Sequence, residues 1–175
     1  MSYTIEEHQH RFAAWAASRA ASVMNYRFSV EEGRYMLEKA GFRKIHRPED
    51  LPPPEEIDDK HRRWRAAVIE ARKGRKLTHG VAAKLINVYL KARFVCGGYA
   101  SHERVKCLHP PIDRLLLDEL ARRNLAGIRE ILKGFKTRSW STFDSTQYQQ
   151  VIDGIRKRCG DGPLWEIEEY WVGYQ

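Results

Sequence analysis

Two side chains in this sequence have the types and setting for covalent chemistry. Lys84 sits in "THGVAAKLINVYLK" (78–91), among Val81, Ala82, Ala83, Leu85, Ile86, Val88 and Leu90. Asp113 sits in "LHPPIDRLLLDEL", directly behind Pro110, Pro111 and Ile112. A lysine amine is a nucleophile only when neutral, and in water its pKa of about 10.4 keeps it protonated. Burial among Val81, Leu85 and Val88 lowers that pKa by disfavouring charge, whereas a neighbouring aspartate raises it. Where burial prevails over such a neighbour, the amine gains nucleophilic character.

Such a pair needs elements that bring it together. The 78–91 segment reads as one helix, in which Lys84, Asn87 and Lys91 (i, i+3, i+7) share a face and Val81, Leu85, Val88 and Ala92 occupy another. Taken alone, the pattern fits equally a lysine on a solvated polar face. Asp113 falls in the first turn of the next helix, where the dipole and free N–H groups favour a carboxylate. A plain helix-terminal aspartate with Arg114 as surface partner is the competing reading.

Helical punctuation runs along the whole chain. Thr4 and Glu7 form a capping-box pattern before "HRFAAWAASRAASVM", and Ser29 and Glu32 repeat it before "EEGRYMLEKA", with Gly41 as the stop. Helices are expected from about Ile57 to Lys73, through the Lys84 segment to "GGY", and in "IDRLLLDELARR", "LAGIREILKGF", "TFDSTQYQQVIDGIRKRC" and "PLWEIEEYWV". Consecutive prolines make 48–56 a linker of extended character. No β-alternation or internal repeat is visible. The fold class is all-α: a single helical domain, 1–175, built as a compact bundle of about eight short helices.

At 175 residues, 42% hydrophobic and 31% charged, the chain has the balance of a globular domain. No apolar run is long enough to cross a bilayer, and from the polar N-terminus no secretion signal is expected. With three cysteines, an odd number, reduced thiols in a bacterial or archaeal cytoplasm are expected. The net charge of +8, from 31 basic and 23 acidic residues, favours a polyanionic partner. Basic residues cluster at Arg43, Lys44, His46 and Arg47 and in "KHRRWRAAVIEARKGRK" (60–76); acidic ones collect in "PEDLPPPEEIDD" and "EIEEY". Cys96, His102, Cys107 and His109 have a spacing that matches no standard zinc site, and three cysteines fall short of the usual iron–sulfur set. No metal or other cofactor is expected.

Together, "GVAAKLINVYLK" and "HPPIDRLLL" resemble the helix-hairpin-helix DNA glycosylase superfamily, in particular its 8-oxoguanine-type branches including the archaeal one. In that family an early lysine on the helix after a hairpin is the nucleophile, and a proline–aliphatic–aspartate segment supplies the catalytic carboxylate. The resemblance covers Thr78 to Leu117. It implies that Lys84 attacks C1′ of a flipped nucleotide, that Asp113 assists, and that Thr78, His79, Gly80 and Lys91 contact DNA. It departs from the family at the hairpin, where "RKLTHGVAAK" has Gly80 but no second glycine beside it. Base extrusion calls for flat pocket walls, for which Trp140 and Trp171, near loops or chain ends, are the candidates, with Asp144 and Gln175 as base-edge partners; Trp15 and Trp64 read as core. The expected function is a DNA glycosylase, with AP-lyase activity if Lys84 is the nucleophile, or monofunctional if Asp113 activates water. Its expected partner is double-stranded DNA carrying a modified base, bound by a monomer. The alternatives are a non-catalytic basic helical DNA- or RNA-binding protein and a helical protein–protein module.

Overall fold

A computed structural model of the chain describes residues 3–173. Among them are eight α-helices and one π-helical segment, with no strand. The fold is all-α, and no helix is long and apolar enough to cross a membrane.

Helix α1 (Ile5–Ala21) starts where the Thr4 hydroxyl accepts the Glu7 N–H, and α2 (Val30–Lys39) where Ser29 and Glu32 close a reciprocal capping box. Helix α3 spans Ile57–Ala71 and α4 spans His79–Leu90, continuing as a π-helical stretch, Lys91–Tyr99, that turns at Gly98. A one-turn helix that the sequence pattern did not reveal, α5 (Glu103–Lys106), precedes α6 (Arg114–Arg122). Helices α7 (Ile128–Lys133) and α8 (Ser145–Cys159) follow, and a 3₁₀ segment, Leu164–Tyr170, takes the place of the last expected helix.

Helix α4 is apolar nearly all round, so it can satisfy its surface only by burial on every side. Gly80 to Asn87 are buried without interruption, as are Tyr89 and Leu90. Helices α1, α3 and α8 pack around it. Each fully buried leucine or isoleucine in this axis, such as Leu85 and Ile86, stabilises the fold by about 1.5–3 kcal/mol.

Two expectations are corrected here. Trp64 is in the core, but Trp15 is 51% exposed and lies against the exposed Phe12 on the outside of α1. The face of α1 turned to the core is the stripe Ala13, Ala14, Ala17 and Ala21, whose small side chains suit close packing on α4. The segment 48–56 is not extended either. It folds into two 3₁₀ turns, Pro48–Asp50 and Pro54–Glu56, with Leu51 buried between them and the Leu51 carbonyl held by Arg104 at 2.6 Å. Proline tolerates these turns because its φ is already near the required value and its missing N–H is an orphan at a helix start.

Candidate active site

Asp113 is the N-cap of α6 rather than a residue of its first turn. Its Oδ1 accepts the Leu116 N–H at 3.0 Å, which fixes the rotamer and turns Oδ2 inward. The segment before it cannot tie itself down through N–H groups at Pro110 and Pro111. Asn87 supplies the missing anchor, its amide donating to the Pro110 carbonyl at 2.9 Å. Helix α4 therefore carries both Lys84 and the residue that steadies the approach to Asp113.

Lys84 is 7% exposed, and its Nζ donates to Asp113 Oδ2 at 2.8 Å. The Trp171 indole N–H donates to the same oxygen at 3.0 Å. The Trp140 ring lies 5.3 Å from the Lys84 ammonium, within cation–π range. Burial is the largest influence on Lys84 and pulls its amine below the ordinary lysine range; the charge and hydrogen bond of Asp113 offset part of this. For Asp113, burial pushes the carboxyl up, but the Lys84 charge, the Leu116 N–H and the Trp171 indole together outweigh it and hold the group below its usual value. The result is an ionised carboxylate beside an amine that gives up its proton more readily than a free lysine.

The pair opens onto a cavity of about 230 Å³ whose lining includes Lys84, Val88, Lys91, Asp113, Glu168 and Trp171. Lys91 pairs with Glu168 across it, and its ammonium lies 5.8 Å from the Trp171 ring. Burial raises the Glu168 carboxyl above its usual range, with Lys91 acting in the opposite sense. Two cations and two carboxylates thus face the cavity. A balanced lining of this kind, with one flat indole wall, suits a planar ligand with both donors and acceptors better than it suits an anion.

Of the remaining expected site residues, Lys91 and Trp171 line the cavity and the other described ones do not. Thr78 is the N-cap of α4: its hydroxyl accepts the Val81 N–H and donates to the Ser141 carbonyl at 2.7 Å. The Gly80 N–H donates to the Phe143 carbonyl at 3.0 Å, and a Cβ on Gly80 would collide with the Trp140 carbonyl oxygen. The donors of Thr78 and Gly80 are therefore committed to residues 141 and 143 and do not project from the hairpin as expected. His79 is partly buried beside them, and burial pulls its ring below the usual histidine range. Lys91 lines the cavity rather than the hairpin surface. Trp140 is buried behind Lys84 and does not line the cavity, whereas Trp171 does. Asp144 caps α8 in a reciprocal box with Gln147 and is likewise not part of the lining. Gln175 lies outside the described residues.

Glu168 is the functional candidate that sequence reasoning missed. It was legible only as one acid of "EIEEY", and nothing in the spacing links it to Lys91, 77 residues earlier. Asn87 was placed on the lysine face, yet its amide turns away to Pro110 and Tyr148. The four residues Cys96, His102, Cys107 and His109 are dispersed: Cys96 is exposed, His102 caps α5, and His109 bonds Tyr148 and Asp58. Among the described residues, no group of three His, Cys, Asp or Glu side chains is placed to hold a metal ion. In comparisons with known proteins, the chain matches no family model, no curated protein and no solved structure.

Proposed function

We propose that this protein is a DNA glycosylase with lyase activity, in which Lys84 is the nucleophile and Asp113 its electrostatic partner. The observation that carries the reading is the 2.8 Å Lys84–Asp113 contact at the wall of a cavity that is otherwise charge-balanced. In the proposed reaction a nucleotide is flipped out of the duplex and its base enters the cavity against Trp171. Asp113 orients the Lys84 amine, whose proton passes to the departing base; the freed lone pair forms the N–C1′ bond while the glycosidic electron pair leaves with the base. The ionised carboxylate counters the positive charge that develops on the sugar. Ring opening gives a Schiff base, and β-elimination from it cleaves the strand. Lys91 offers a donor and Glu168 an acceptor to the base edge, a pairing that fits an oxidised purine of the 8-oxoguanine type, which presents both an N–H and a carbonyl.

The test is base release from a duplex carrying 8-oxoguanine, read together with strand nicking in the absence of alkali. Wild-type protein is expected to do both and Lys84→Gln neither, with the variant's circular dichroism intact. DNA binding that survives substitution at Lys84 and Asp113, with no base released from any substrate, would assign the chain to non-catalytic nucleic-acid binding instead.

A further inference from the structure

The charge-balanced cavity and the committed donors of α4 leave a question for any DNA-binding reading: where do backbone phosphates sit? A second cleft, of about 400 Å³, lies between α6 and α7 and is lined by Arg122, Arg129, Lys133 and Arg138, with Asp118 as the one acid. Arg122 and Lys133 are exposed and pair along the surface with Glu119 and Glu130. Arg129 is different. Its guanidinium donates to the Ala121 and Arg122 carbonyls at 3.1 and 3.3 Å, in the last turn of α6, so backbone and not a carboxylate fixes its position. Among the described residues, no carboxylate forms an ion pair with Arg129 or Arg138.

The cleft is tied to the Lys84 site from two directions. Helix α6 begins at the Asp113 cap and ends at Arg122 in the cleft. Arg138 is two residues before Trp140, so its Cα lies within about 7.6 Å of that residue's, and the Trp140 ring rests on the Lys84 ammonium. Planar guanidinium forks match phosphate oxygens two at a time, which a cleft of several arginines exploits better than scattered surface lysines.

We infer that the α6–α7 cleft is a phosphate seat for the DNA backbone next to the flipped nucleotide, replacing the hairpin contact that α4 does not offer. This rests on the glycosylase reading above. The seat positions the strand and carries no base information, so it acts alike on damaged and undamaged duplex.

The experiment measures duplex affinity against salt concentration, for 8-oxoguanine-containing and undamaged DNA, using the full chain. Lys133→Gln/Arg138→Gln removes two exposed charges from the cleft; Arg34→Gln/Lys39→Gln removes two from α2 as the control. The cleft variant is expected to bind both duplexes about tenfold more weakly near physiological salt, and its log K against log salt slope is expected to flatten by about 1–2. The control should change little, Arg138→Lys should restore part of the affinity, and base release at saturating DNA should persist in the cleft variant. An unchanged slope in a folded cleft variant, with wild-type activity intact, overturns the phosphate seat and leaves the glycosylase reading standing. A wild-type protein with no affinity for DNA overturns both.

Discussion

Helix α4 carries two buried polar constellations, and they differ in access. On one side Lys84 meets Asp113 at the wall of a cavity. On another, Asn87 Oδ1 meets His61 Nε2 at 2.7 Å, while the Asn87 amide donates to the Tyr148 hydroxyl at 2.9 Å. Tyr148 bonds His109 at 3.0 Å, and His109 reaches Asp58 at 2.8 Å, where Arg156 also binds. This second network holds two histidines, a tyrosine and a carboxylate, more acid–base groups than the Lys84–Asp113 pair. Yet His61, Asn87, Tyr148 and His109 are all sealed in the interior. Rich titratable chemistry without a way in is structural; the sparser pair gains its functional claim from the opening beside it.

The comparison can be broken at either side. The largest expected effect is at Lys84: Lys84→Gln should lower base release by roughly a thousandfold or more, as loss of a nucleophile does. It should also cost about 1–3 kcal/mol of stability by leaving Asp113 short of a partner, read by urea denaturation. Asp113→Asn should reduce the single-turnover rate by about a hundredfold or more while retaining the helix cap, since asparagine caps as well as aspartate. In the sealed network the order reverses. Tyr148→Phe removes the hydroxyl shared by Asn87 and His109, and should cost about 2 kcal/mol of stability with the rate per folded molecule nearly unchanged.

The helical elements around these sites were largely legible in the sequence, whereas the sealed network was not, and the difference has identifiable causes. Capping pairs such as Ser29 with Glu32 are local, so helix starts could be read directly. Lys84 and Asp113 could be paired only through the family resemblance that their two short stretches carry together. Trp15 was misassigned because α1 has a competing stripe of alanines, and periodicity does not say which stripe faces inward. Asp144 carried a capping-box signature with Gln147 that was there to be read, but it was weighed as a base contact. The pairing of Lys91 with Glu168, and the filling of the α4 N-terminus by residues 140–143, depend on how distant segments pack and have no local signature.

Acidity sharpens the comparison with smaller effects. Burial is the main reason His61 and His109 titrate below the ordinary histidine range. The unfolded chain takes up protons on these rings below about pH 6.5 while the folded state resists, so stability must fall as pH drops through that point. Asp58, held far below the usual carboxylate range against the pull of its burial by His109 and Arg156, adds a further loss at lower pH, when protonation breaks both pairings. The urea midpoint should therefore decline steadily from pH 7 toward pH 5, and Tyr148→Phe should start from a lower value. At the open site the sign concerns rate. Because the Lys84 amine is depressed, base release should rise with pH and level off below the ordinary lysine pKa. In Asp113→Asn, which lacks the charge that raises Lys84, the levelling point should move to lower pH.

The most direct test of the central claim is borohydride reduction of the protein with a duplex carrying 8-oxoguanine or an abasic site, followed by peptide mapping of the cross-link by mass spectrometry. The expected result is a covalent complex whose added mass lies on Lys84, absent in Lys84→Gln and present in Tyr148→Phe. A cross-link on another lysine, or an undiminished one in Lys84→Gln, would contradict the assignment of Lys84 as the nucleophile.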